Sequence, residues 1–132
     1  MTAPALTLDI TQDMIDAYAA ISGDFNPVHV DPAFAAATPF GGTIAHGCIP
    51  MEPIFRLVQA RSGLPVMPQG SFMPLPCGMK LRYLRPTRPG DRIGIRVTAE
   101  TGGGFAFQCL NQQGEAVIEG EVLGLRQAKG NS

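Results

Sequence analysis

Pro50-Met51-Glu52-Pro53-Ile54-Phe55-Arg56-Leu57-Val58-Gln59-Ala60-Arg61-Ser62-Gly63 is the strongest helix in the chain and the stretch on which the fold turns. Met51, Ile54, Phe55, Leu57 and Val58 cover more than one helical stripe, so the spacing predicts a helix wrapped on several sides. Two prolines at its head fit that reading. Proline inside a helix costs about 3 kcal/mol, but in the first turn its missing N–H would have had no partner anyway. The helix is therefore expected to start at or just before Pro50 and to end at Gly63. After it, residues 63–78 carry Pro65, Pro68, Pro74 and Pro76 with little periodicity, which reads as a long functional or connecting loop beside the pocket.

From Met79 the pattern changes to strands. Lys80 to Leu84 form one run, and Ile93, Ile95, Val97 and Ala99 alternate strictly. Phe105, Phe107 and Cys109 make the next run, and Ala116 to Leu125 the last. Pro89-Gly90-Asp91, Gly102-Gly103-Gly104 and Asn111-Gln112-Gln113-Gly114 supply the turns between them. Upstream, Leu6 to Ile10 alternate like a short strand, and Thr11 can cap a helix in which Met14, Ile15, Tyr18 and Ile21 recur. Gly23 ends that helix; Asp31 followed by Pro32 then starts one or two turns over residues 32–37. One apolar helix followed by consecutive antiparallel strands describes an α+β fold, an antiparallel sheet wrapped around a central helix. Length and the lack of an internal repeat predict a single domain over residues 1–132.

The composition excludes several function classes. With a formal charge of −1 and an apolar fraction of 45%, the chain has no basic face for nucleic acid. Arg82, Arg85, Arg88 and Arg92 form a short, proline-broken run that reads as a solvated strand edge, with a site for a small anionic ligand as the alternative. Cys48, Cys77 and Cys109 are an odd number without C-x-x-C spacing, which argues against a disulfide framework or thiolate zinc site and for a reducing compartment. The first thirty residues lack a basic start followed by an apolar core, and no stretch approaches the roughly 18 apolar residues of a membrane span. A cytoplasmic enzyme without membrane contact is expected.

Chemistry concentrates in Ser22-Gly23-Asp24-Phe25-Asn26-Pro27-Val28-His29 and in Phe40-Gly41-Gly42-Thr43-Ile44-Ala45-His46-Gly47-Cys48. Pro27 keeps Asn26 out of the helical region, so Asp24 and His29 do not share one continuous helix and can converge across the bend. Singly, Asp24 reads as a turn aspartate and His29 as a packed or hydrogen-bonded histidine. Asp24, His29, Asp31 and His46 are also oxygen and nitrogen donors, but their spacing matches no standard metal pattern, so neither a metal nor another cofactor is expected. Cys48 beside His46 hints at a thiol nucleophile, against which stands its place in an apolar helix entry, where a thiol is usually buried and inert.

Taken in order, Ser22-Gly23-Asp24-Phe25-Asn26-Pro27-Val28-His29, Phe40 and Ile44-Ala45-His46-Gly47 resemble the signature of the MaoC-like (R)-specific enoyl-CoA hydratases, or hydratase 2. The likeness continues through Leu81-Arg82-Tyr83-Leu84-Arg85-Pro86-Thr87-Arg88-Pro89-Gly90-Asp91 and Asn111 to Gly120. It implies a hot-dog fold, an acyl-CoA thioester substrate, and a homodimer that builds the substrate channel across its interface. It also implies Asp24 and His29 as the catalytic pair, with Asn26 holding the loop geometry. The required chemistry suits these residues. Hydrating a trans-2-enoyl thioester takes a base for water, an acid for the α-carbon and donors for the enolate-like oxygen. Histidine, with an unperturbed pKa of about 6.5, is largely neutral near pH 7 and fits the base role.

The oxyanion donor is expected to be a backbone amide where a glycine precedes a helix, and Gly47 fits, a role the resemblance also carries to it. For His46 two readings stand, facing the substrate or making a structural hydrogen bond, the second preferred. Cys48-Ile49-Pro50-Met51 departs from the family's usual Met-Leu and helix formers at this point. Alternative activities are dehydration of a 3-hydroxyacyl group on acyl carrier protein, acyl-CoA thioester hydrolysis, and a non-catalytic acyl-thioester-binding subunit.

Overall fold

In the computed structural model, which describes residues 4–62 and 78–125, the alternating residues of the second half line up on one face of a five-stranded sheet. The strands are β1 (Ala5–Asp9), β2 (Gly78–Tyr83), β3 (Arg92–Thr101), β4 (Gly104–Leu110) and β5 (Ala116–Leu123). Their order is β1-β3-β4-β5-β2, and every neighbouring pair is antiparallel. The register sets Ile95 opposite Cys109, Cys109 opposite Ile118, and Ile118 opposite Tyr83. Because side chains alternate faces along a strand, this places Ile93, Ile95, Phe105, Phe107, Cys109, Ile118 and Val122 together in the core. Lys80, Arg82, Gln108, Glu119 and Glu121 consequently take the other face, where they line a polar hollow of about 550 Å³.

Among the described residues the α-helices are α1 (Gln12–Ser22), α2 (Pro27–Val30), α3 (Pro32–Ala36) and α4 (Glu52–Ser62), with a 3₁₀ turn at Ile49–Met51. Ile54 and Val58 of α4 are buried against the apolar sheet face, each such burial contributing about 1.5–3 kcal/mol. The sheet thus wraps the helix in the hot-dog arrangement. Arg61, at the end of α4, lies 4.7 Å over the Phe105 ring and clasps Glu100 of β3 through two hydrogen bonds, at 2.6 and 2.8 Å. At the other end Arg56 donates to the carbonyls of Leu6 and Thr7, tying α4 to β1 where its register with β3 shifts.

Three details depart from expectation. The α-helix begins at Glu52 and not at Pro50, because Pro50 sits in the preceding 3₁₀ turn and Pro53 takes the first turn of α4. Ile21, expected on the buried stripe of α1, is 83% exposed, while Ile15 and Ala19 are enclosed. The alternation in β3 is interrupted, since the pairing with β4 shifts between Val97 and Ala99 and leaves Ala99 exposed. Thr11 caps α1 by accepting from the Met14 amide, and Gly23 closes it with φ of 79°, a conformation that favours glycine. Gly63 and nearly all of the 63–78 loop lie outside the described residues.

Candidate active site

The segment between α1 and α3 is folded by its own short polar side chains. Ser22 Oγ accepts from the Asp24 amide, Asp24 Oδ1 from the Asn26 amide at 3.2 Å, and Asn26 Oδ1 from the Val28 amide at 3.1 Å. Asp31 then caps α3 by accepting from Phe34 N. Pro27 holds Asn26 extended, with ψ of 128°, and opens α2, so the chain reverses between Asp24 and His29. The result brings Asp24 Oδ2 to 3.8 Å from His29 Nε2, with the carboxylate about half exposed and the imidazole side chain 12% exposed.

His29 is fixed from three directions. Its Nδ1 lies 2.8 Å from the Ile44 carbonyl, while Ile44 N donates to Val28 O, so the two segments bond reciprocally. Gln12 of α1 donates to the His29 carbonyl and is itself held by the Thr43 hydroxyl. A carbonyl oxygen only accepts, so this bonding assigns the hydrogen to Nδ1 and leaves a lone pair on Nε2, facing Asp24.

His46 lies under this pair, 3% exposed, with Nε2 3.0 Å from the Asp24 carbonyl. Its ring stacks on His29 at 3.9 Å between centroids and 27° between planes, and Tyr18 packs on it at 4.7 Å. A hydrogen bond with the Cys48 side chain holds the Tyr18 phenol above its ordinary range. Ligand atoms of Asp24, His29 and His46 lie within 4.8 Å of one another. Near-parallel rings send their in-plane lone pairs side by side, however, whereas a tetrahedral metal needs them to converge; the geometry suits proton transfer better than ligation.

Gly47 follows, exposed, in a turn that leads into the 3₁₀ segment rather than directly into an α-helix. Among the described residues no backbone carbonyl takes its N–H. Its own carbonyl accepts from the Tyr83 hydroxyl at 2.8 Å, and a β-carbon at this position would come within 3.1 Å of that hydroxyl. Burial is the main cause that holds the Tyr83 phenol above its usual range. A cavity of about 400 Å³ is lined by His29, Phe40, Ile44, Gly47, Tyr83 and Thr87, among others, so an imidazole edge and a glycine backbone share one chamber.

Cys48 is exposed rather than buried; Cys109 is the enclosed thiol, pushed up to about 12 by burial. Three side chains of the arginine run are paired: Arg82 with Glu119, Arg85 with the Ala116 carbonyl, and Arg92 with Asp9. The sequence reading named Asp24, Asn26, His29, His46 and Gly47, which the structure gathers around one bend and its neighbouring turn. It passed over Gln12, Thr43 and Tyr83, and it took Tyr18 for plain core. Helical spacing with Met14 and Ile21 reads Tyr18 as core, but nothing in the string of residues shows that His46 meets it.

Comparison with known proteins agrees with this architecture. The pattern described as a MaoC like domain matches residues 2–109. The (R)-specific enoyl-CoA hydratase of Aeromonas caviae is 36% identical over 115 residues, covering 83% of this chain and 81% of that protein. The 3-hydroxyacyl-thioester dehydratase Z of Mycobacterium tuberculosis is 35% identical over 85 residues, covering 64% of this chain and 54%, about half, of its own length. Among solved structures, the (R)-hydratase from A. caviae involved in PHA biosynthesis superposes with a TM-score of 0.70 at 27% identity, covering 92% of this chain and 94% of that one. The chain belongs to the MaoC-like family of enoyl-CoA hydratases and 3-hydroxyacyl dehydratases, which are hydro-lyases.

Proposed function

We propose that this chain adds water to a trans-2-enoyl-CoA to give the (R)-3-hydroxyacyl-CoA, and runs the same step in reverse. The observation that carries the reading is the 3.8 Å separation of Asp24 Oδ2 and His29 Nε2. It is too long for a direct hydrogen bond, and it lets one water oxygen touch both groups. With the Nδ1 hydrogen engaged by Ile44, the Nε2 lone pair takes a proton from that water as its oxygen bonds to the β-carbon. Asp24, ionised, steadies the imidazolium that forms and orients the attacking oxygen. The electron pair of the alkene moves to the α-carbon and thioester oxygen, where the Gly47 amide meets the developing charge. One member of the pair then returns a proton to the α-carbon, which completes the addition of H and OH.

Asn26 supports the pair by donating its backbone N–H to Asp24 Oδ1 and accepting the Val28 N–H on its own Oδ1, and so holds the loop that carries Asp24. Ile21, Phe25, Phe34 and Phe40 expose large apolar side chains around this segment, at 83%, 59%, 50% and 39%. Their coverage by a second copy, in a homodimer, completes the reading. A cytoplasmic setting accords with the free cysteines, and among the described residues no helix is long and apolar enough to cross a membrane.

The test follows enoyl absorbance with crotonyl-CoA and longer enoyl-CoAs for the native chain, Asp24→Asn and His29→Ala, and determines the handedness of the product. Each substitution is expected to lower turnover by about two to four orders of magnitude with the fold intact. Near-full activity in either variant removes that residue from the mechanism, and release of free thiol from a saturated acyl-CoA replaces hydration by thioester hydrolysis.

A further inference from the structure

We propose that His46 is a positioning residue for the Asp24–His29 pair: its Nε2–H anchors the Asp24 backbone while its ring backs His29, so that the functional side chains keep their 3.8 Å separation. The inference rests on the reading of Asp24 and His29 as the reacting pair.

Asp24 stands between α1 and α2, where no helix holds it. Among the described residues its other hydrogen bonds run to Ser22 and Asn26, each two positions away, and these shape the loop without fixing where it sits. The His46 bond, spanning 22 positions, is the one that ties Asp24 to the body of the fold. The same ring lies against His29, so one side chain touches both members of the pair.

Its protonation state follows from its partners. The Asp24 carbonyl only accepts, so Nε2 carries the hydrogen. Nδ1 is buried without a hydrogen-bond partner among the described residues. His46 therefore donates from Nε2, while His29 donates from the opposite nitrogen, Nδ1. Of the two imidazoles, His29 borders the cavity and His46 does not, so the stacked partner positions the base without competing for its proton.

The experiment has two arms. Imidazole nitrogen NMR of the intact ¹⁵N-histidine-labelled chain, which holds two histidines, is expected to show the two rings as opposite tautomers, Nδ1–H at His29 and Nε2–H at His46. Steady-state kinetics with crotonyl-CoA then compares His46→Phe, which keeps a ring and loses the donor, with His46→Gln, which restores a donor of similar reach. His46→Phe is expected to lose about 10- to 100-fold in kcat with KM changed little, and His46→Gln to regain most of it. If His46→Phe turns over like the native chain while Asp24→Asn and His29→Ala are inactive, the pair stands and the positioning role falls. An Nδ1–H tautomer of His46, which leaves no hydrogen on Nε2 for the Asp24 carbonyl, overturns it as well, even if His46→Phe fails to fold. Full activity in both Asp24→Asn and His29→Ala removes the pair and the positioning role with it.

Discussion

The carbonyls of Ile44 and Asp24 assign the protons of the two histidine rings, and so decide which nitrogen can act as a base. A third backbone contact completes the site, the Tyr83 hydroxyl on the Gly47 carbonyl. It orients the peptide on the far side of Gly47 from the amide proposed to meet the thioester oxygen. Tyr83→Phe removes this bond and nothing else of comparable size; one hydrogen bond contributes about 0.5–1.5 kcal/mol net, so kcat/KM on crotonyl-CoA should fall about 2- to 10-fold. Unchanged kinetics with a normal circular dichroism spectrum would show that the loop holds its shape without Tyr83. Asp24, Asn26 and His29 were legible in the sequence because they act within one short string, where proline and capping chemistry dictate the turn. Tyr83 and Thr43 were not, since their partners lie 36 and 31 positions away and only the finished fold brings them together.

At the scale of elements, the caps of α1 and α2 have different consequences although their chemistry is alike. Thr11 accepts from Met14 N at the start of α1, and Asn26 accepts from Val28 N at the start of α2. Replacing either by alanine costs about 1 kcal/mol. Thr11→Ala should lower stability in urea and leave the rate per folded molecule near native. Asn26→Ala should show a similar loss of stability and at least a tenfold loss of kcat, because the lost cap frees the turn whose Asn26 amide donates to Asp24 Oδ1. Equal activity of the two variants would separate the cap from the chemistry. The helix α1 was readable from its spacing, its cap and its terminal glycine. The four residues of α2 are too few to show a period, and the 3₁₀ turn at Ile49–Met51 arises from the geometry of Pro50, which pattern alone does not resolve.

For the molecule as a whole, the sheet order β1-β3-β4-β5-β2 leaves β1 and β2 as edges, and β2 ends at Tyr83, beside the site. That order could not be read from alternation, which marks strands but does not say which neighbours each will take. Assembly is tested most simply by light scattering at micromolar concentration, with a mass near 28 kDa expected for two 14.0 kDa chains. Ile21→Glu, which places charge on the most exposed apolar side chain, should shift the mass toward the monomer and reduce activity on dilution. A monomer in the native protein at that concentration refutes the dimer.

The unequal access of the two imidazoles gives the protein a chemical handle. An electrophile such as diethyl pyrocarbonate reaches the ring that opens on the chamber and is shut out from the one sealed beneath it. Carbethoxylation of a single histidine per chain should therefore coincide with complete inactivation, and hydroxylamine should reverse both together, which would count functional sites in any preparation without a substrate.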